Sequence, residues 1–408
     1  MSRNISWTFL SNIVLAGVKW LMLIALAKWL APTDVGYYAL GLAVASPLTF
    51  FANMKLRTLF VSADTPHYTA YATARNIVGV IVMLILFVIA YVLYYDAWLI
   101  IILIGMSKML DLVSDFMYAL PHREQHMARI SKIIIAKQGT LMVAFMITLL
   151  LTYNLIWTLF IQLVIQFIWL GIEYVVFVRQ YDFDRTRNRA LTWRILSLGI
   201  PLGVTQLIVS FNSFLPRYVL EYFTDAETLG YFAAIAYITV IANIVMGAIS
   251  QNYLHVFKNQ HDREDYKDLE RTLYVDLGSI AVILSGVTFL ISLFIGKFVL
   301  TILYGAAYAQ YDWVLMLLSG CLFFNALNWN IDTALTSVGI VKRQLYFVVI
   351  ASGISIPVTI LLIYAFGIKG AAFAMITNSF FLYATKEIFF RRWLRQRREM
   401  YATKQQAQ

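Results

Sequence analysis

The residues that could do chemistry here are charged side chains set inside long apolar runs. The cations are Lys19, Lys28, Lys55, Arg57, Lys108, Lys137, Arg217 and Lys386, and the acids are Asp111, Asp115, Glu173, Asp276, Asp332 and Glu387. At about 100° per helical residue, Asn12 and Lys19 share a face while Lys28 points the other way. On the same rule Ser46, Asn53 and Arg57 align with Lys55 opposite, and Gln206, Ser210, Ser213 and Arg217 form one polar stripe. Three such stripes predict a ladder of cations, Arg57 toward one side of a membrane, Lys19 midway and Arg217 toward the other. An anion such as phosphate needs these groups, because losing its hydration in a low dielectric is costly and a guanidinium can grip two of its oxygens at once. Amides and hydroxyls beside them (Asn12, Asn53, Gln206, Ser213) suit sugar hydroxyls.

Other embedded charges have plainer expectations. Lys28, Lys137 and Lys386 fall within two turns of a span end and are expected to snorkel to the interface. Lys108, Asp111 and Asp115 lie at i, i+3 and i+7, which suits an ion pair within one helix. The alternative for Asp111 and Asp115, and for Asp332, is a carboxylate that loads and releases a coupling proton or sodium ion. Gln162, Gln166 and Glu173 align, as do Asn325, Asp332 and Thr336, and either set suits saccharide contacts or bonds between helices. The single cysteine, Cys321, excludes a disulfide framework and a thiolate metal site. His122-Arg123-Glu124-Gln125-His126 has histidines at i and i+4 but lacks the order of a zinc-protease motif, and it reads as a solvated loop. No cofactor and no catalytic group are expected.

The elements that hold these residues are membrane spans. Hydrophobic residues make up 61% of the 408 and charged ones 13%, against roughly 45–50% and 25% in a soluble domain. The apolar runs are about 20 residues long without barrel-like alternation, so the expected fold is all-α, a polytopic membrane protein. Twelve spans are predicted: 5–30, 34–61, 77–94, 97–118, 133–152, 155–178, 195–218, 229–252, 273–296, 313–338, 345–365 and 371–390. Pro47 is the candidate kink in the long second one. Ala25-Leu26-Ala27 resembles a cleavage site, but the apolar stretch before it is too long for a signal peptide and contains Lys19.

Lys and Arg set the orientation. With the N-terminus cytoplasmic, inner segments hold 22 of them, including Arg75, the Arg185, Arg187 and Arg189 cluster, and a tail with Arg391, Arg392, Arg395, Arg397 and Arg398; outer loops hold only Lys297 and Lys369. Both termini are therefore expected inside. The net charge of +10 follows from topology and needs no nucleic acid.

The sequence also looks duplicated. Gly36-Tyr37-Tyr38-Ala39 returns as Gly230-Tyr231-Phe232-Ala233, and Ala119-Leu120 as Ala334-Leu335. Two six-helix lobes follow, 1–190 and 191–408, the second with a short basic tail, and a parallel repeat puts a substrate path at their interface.

The stretch Leu26 to Leu40 (LAKWLAPTDVGYYAL) closely resembles the opening of the Wzx-type polysaccharide-biosynthesis flippases. Pro201-Leu202-Gly203, Leu215-Pro216-Arg217-Tyr218, Leu303-Tyr304-Gly305 and Gly367-Ile368-Lys369-Gly370-Ala371-Ala372 resemble that family too. The resemblance implies the twelve-helix fold of the multidrug, lipid-linked oligosaccharide and polysaccharide exporter superfamily. It further implies an undecaprenyl-diphosphate-linked oligosaccharide as cargo, flipped across a bacterial inner membrane, with a polymerase and chain-length machinery as downstream partners. Two other readings stand beside it. A cation-coupled drug exporter of the same fold would want an anionic pocket, and a membrane polymerase or ligase would want catalytic residues in a sizeable outer loop.

Overall fold

A computed structural model of the protein describes residues 2–406, apart from 65–66, 182, 184–185, 187 and 341–342. The described residues form helices joined by short turns, and no strand occurs among them. Eleven helical stretches are long and apolar enough to cross a membrane, and a twelfth long helix ends the chain. The protein is a multi-pass, all-α membrane protein.

The chain divides into two compact units, 1–214 and 215–408. The first contains α1 (Ser2–Trp29), α2 (Pro32–Asn53), α3 (Leu56–Ser62), α4 (Tyr68–Leu93), α5 (Trp98–Met117), α6 (Ala119–Arg123), α7 (Met127–Thr152), α8 (Leu155–Glu173) and most of α9 (Arg189–Phe223). Here α5 is the hub, packed on α2, α4 and α8, while α7 packs on α8 and α1. Small residues permit the close approaches. An added Cβ at Gly41 would come within 2.6 Å of Ile104 on α5, and one at Gly203 within 2.6 Å of the Phe51 carbonyl oxygen. Gly199 and Gly203 have the small-xxx-small spacing that lets membrane helices touch along their backbones.

The second unit contains α10 (Ala226–Asn252), α11 (Leu254–Asp262), α12 (Tyr266–Arg271), α13 (Leu277–Tyr304), α14 (Asp312–Ser337), α15 (Gln344–Phe366) and α16 (Ile368–Gln406). Its hub is α14, packed on α10, α13 and α16, with α15 against α16. That is the arrangement of α5 on α2, α4 and α8, with α7 against α8. Each unit repeats the other's internal packing.

Several expectations change in detail. The second span breaks at Met54 and Lys55, both left-handed with φ of 46° and 50°, while Pro47 sits inside α2. The break rotates everything after it, so Ser46, Asn53 and Arg57 do not form one stripe. Asn53 turns its Oδ1 back to accept from the Lys55 backbone N–H at 3.1 Å. The third span starts at Tyr68, which places Arg75 within α4 and buried instead of in a loop. Arg185, Arg187 and Lys342 lie outside the described residues.

Candidate functional site

The charged side chains of the first unit meet in one cavity of about 270 Å³ between α1, α3, α5 and α7. Asn12 and Lys19 enter from α1, Arg57 from α3, Asp111, Ser114 and Asp115 from α5, and Lys137 and Gln138 from α7, with Tyr118 just past α5. Sequence reasoning named Asn12, Lys19, Arg57, Asp111 and Asp115 as functional, and the structure gathers all five. It did not name Ser114, Tyr118 or Gln138 there.

Two ion-pair systems line the wall. Arg57 Nη1 lies 2.9 Å from Asp115 Oδ1, its Nε donates to His122 Nδ1 at 3.2 Å, and its guanidinium stands 5.8 Å from the centre of the Tyr118 ring. The break at Met54 and Lys55 aims Arg57 this way. Deeper in, Lys137 Nζ donates to Ser114 Oγ at 2.8 Å and pairs with Glu173 Oε1 at 3.3 Å and Asp111 Oδ1 at 3.7 Å. Glu173 also accepts the Tyr118 hydroxyl at 2.5 Å and the Ser114 hydroxyl. Lys137 therefore does not snorkel. Its side chain is 2% exposed, and that of Glu173 is fully buried. A buried pair of this kind is tolerable only when further hydrogen bonds satisfy both ions, which Ser114 and Tyr118 do.

The two acids of α5 engage cations on other helices, Asp115 that of Arg57 and Asp111 that of Lys137. Gln166 adds a bond to Asp111 at 3.4 Å. The electrostatic balance follows. Lys137 is neutralised by Glu173 and Arg57 by Asp115, which leaves Lys19 exposed in the cavity with no carboxylate within ion-pair reach among the described residues. Asp111, whose side chain is 40% exposed, takes a second share of that lysine. The cavity thus presents an ammonium at Lys19 and a carboxylate at Asp111.

The remaining named residues lie elsewhere. Lys55 is exposed at the turn after α2, and Asn53 is occupied in that turn; neither lines the cavity. Ser213 is exposed and its hydroxyl donates to the Val209 carbonyl of its own helix at 2.9 Å. Gln206 is half-buried on α9. Arg217 belongs to the second unit, where its charge faces Tyr218 and Tyr237.

The second unit has its own polar cluster. Lys386 Nζ pairs with Asp332 Oδ2 at 2.8 Å, so Lys386 is buried and does not snorkel either. The Tyr274 hydroxyl donates to Glu387 Oε1 at 2.8 Å. Asn325 donates to Cys321 Sγ at 3.5 Å and Thr336 accepts from Gln344 at 3.3 Å, so the row Asn325, Asp332, Thr336 serves three separate contacts. His126 meets the Tyr181 hydroxyl at 3.2 Å while His122 meets Arg57, giving the two histidines unrelated partners.

The fold is that of known exporters. The chain superposes on the lipid II flippase MurJ in its inward closed conformation with a TM-score of 0.76 at 11% identity, covering 94% of this chain and 87% of that one. An inward-facing multidrug resistance MATE family transporter gives 0.67 at 14% identity, over 96% and 95% of the two chains. The capsular polysaccharide biosynthesis protein CapF of Staphylococcus aureus is 24% identical over 399 residues, 96% of this chain and all of that protein. Residues 1–254, which hold the whole charged cavity, match the family described as Polysaccharide biosynthesis protein. The chain is a member of that polysaccharide biosynthesis family, built on the fold of the MurJ and MATE transporters.

Proposed function

We propose that the protein is a flippase that carries an undecaprenyl-diphosphate-linked oligosaccharide from the cytoplasmic to the outer leaflet of a bacterial inner membrane by alternating access, with both termini cytoplasmic. Family membership supports the pathway, and the observation that carries the cargo class is Lys19, a cation without a carboxylate in a membrane-embedded cavity. In this reading the diphosphate docks on Lys19 and competes with Asp115 for Arg57, whose planar guanidinium suits two phosphate oxygens as well as it suits a carboxylate. Asn12 and Gln138 offer amides to the first sugar. Asp111 is the place for a coupling proton or sodium ion, and Asp332 of the second unit is a second candidate. The polyprenyl tail stays in lipid. No covalent chemistry is asked of the protein, and a polymerase with chain-length machinery takes the product.

The test uses inverted vesicles loaded with labelled undecaprenyl-diphosphate oligosaccharide, with transport read as loss of label from the exposed leaflet. Lys19→Ala should abolish transport at normal protein abundance, and Lys19→Arg should retain it. Full transport by both Lys19→Ala and Arg57→Ala would remove the proposal. Accumulation of unpolymerised units on the far leaflet in a deletion strain would point to the polymerase reading instead.

A further inference from the structure

A second and larger cavity, of about 500 Å³, runs between α4 and α5. Its floor is apolar, with Gly79, Met83 and Phe87 on α4 and Met109 and Leu112 on α5, and Arg75 closes one end. Gly79 is what hollows it, since a Cβ there would meet nothing within 4 Å. Val80 and Leu84 on its rim are 61% and 63% exposed, so the groove opens where a bilayer would lie. From Arg75 to Phe87 it follows about 18 Å of helix.

Arg75 is the unusual feature. It is 2% exposed, and its one hydrogen bond runs from Nη2 to the Asn53 carbonyl at 3.3 Å. Nε and Nη1 have no partner. The carboxylate it senses, Asp115, is already held by Arg57 at 2.9 Å. A guanidinium is always charged, and leaving its donors unmet in a low dielectric costs several kcal/mol.

The second unit carries the same groove in the same register, about 420 Å³ between α13, with the turn before it, and α14. Gly278 follows Tyr274 by four residues as Gly79 follows Arg75, and Val282 stands where Met83 does. Its end is neutral: Tyr274 donates to Glu387, and Arg391, over the Tyr274 ring, is itself paired with Glu387. The groove is thus a repeated part of the fold, and the α4–α5 copy is the one that ends on an uncompensated cation.

We propose that the α4–α5 groove is a binding site for an anionic phospholipid of the surrounding bilayer, one acyl chain lying along Gly79 to Phe87 and phosphate oxygens meeting the Arg75 guanidinium, whose buried Nε and Nη1 turn toward the groove to take them. Arg75 lies seven residues, about 10 Å, from the start of α4, and in the orientation proposed above that end of the helix is cytoplasmic, where anionic lipids gather. The lipid holds Arg75 against the Asn53 carbonyl and so steadies the break that aims Arg57. The site stands whether or not the cargo is a lipid-linked oligosaccharide.

The test uses the purified full-length chain in phosphatidylcholine vesicles with a trace of either phosphatidylglycerol or phosphatidylcholine carrying a photoreactive acyl chain, followed by peptide mapping. The phosphatidylglycerol tracer should label the α4–α5 peptides about tenfold more than the phosphatidylcholine tracer, equivalent to about 1.4 kcal/mol, while the α13–α14 groove should take both equally. Arg75→Gln should bring the two tracers level in α4–α5. Gly79→Leu, which fills the groove and leaves Arg75 in place, should lower both. Equal labelling by the two tracers in the unaltered protein overturns the proposal, as does labelling that neither variant moves. Exclusion of the phosphatidylglycerol tracer by equimolar undecaprenyl diphosphate overturns it in favour of the cargo lipid.

Discussion

Lys137 Nζ stands 3.3 Å from Glu173 Oε1 across α7 and α8, with both side chains withdrawn from solvent. Removing one member of such a pair strands the other as a bare buried charge, at a cost of about 3–5 kcal/mol. Lys137→Met should lower the unfolding midpoint of the detergent-purified protein sharply. Adding Glu173→Gln should restore roughly half of the loss, because the stranded charge is gone. An unshifted midpoint in the single variant would mean that Glu173 finds another partner.

The Arg57–Asp115 pair should behave differently. Its side chains are 20% and 33% exposed, so solvent screens it and its coupling should be only about 1 kcal/mol. A double-mutant cycle with Arg57→Ala and Asp115→Asn, read by thermal unfolding at low and high salt, checks this. The coupling should shrink with salt. A salt-independent value above about 3 kcal/mol would place the pair with the buried class.

Lys55 is exposed and left-handed, a conformation glycine adopts without strain. Lys55→Gly should therefore leave stability unchanged or raised by a few tenths of a kcal/mol. Transport in the vesicle assay should stay within twofold of the unaltered protein. A collapse of transport with normal folding would return Lys55 to the cargo path.

Two glycines of the second unit should respond in opposite ways. A Cβ at Gly370 would lie 1.9 Å from the Leu362 carbonyl oxygen, and backbone cannot yield as a side chain does. Gly370→Ala should cost more than about 2 kcal/mol. Gly353, exposed on α15 with nothing in reach of a Cβ, should gain about 0.5–1 kcal/mol as alanine from helix propensity. Paired thermal melts decide both.

The spans were legible because hydropathy over about 20 residues is a summed signal that no single side chain can spoil. The positions of charges near span ends were not, because they hang on boundaries. Placing the start of the fifth span at 133 set Lys137 near an interface, whereas α7 begins at Met127 and carries it some 15 Å into the helix. A start at 77 hid Arg75 in the same way. The break at Met54 and Lys55 had no glycine or proline to announce it. What packs against it is remote in sequence: Gly199, whose Cβ would come 3.1 Å from Met54 Cβ, and Gly203 let α9 lie close to that turn. Of the candidate site, the face shared by Asn12 and Lys19 was readable within one helix. The pairing of Asp111 and Asp115 with Lys137 and Arg57 was not, since partners on other helices leave no periodic mark.

α16 runs for 39 residues, about 58 Å, almost twice the roughly 30 Å of hydrocarbon in a bilayer. Near its far end Arg398 bonds to Glu270 and to the Tyr266 carbonyl, which ties the projecting part to α12. The helix is a mast. A tilt of a few degrees about its root in the membrane displaces its tip by several ångströms, and a dye attached there would report such tilting from outside the bilayer, where probes are easiest to place and read.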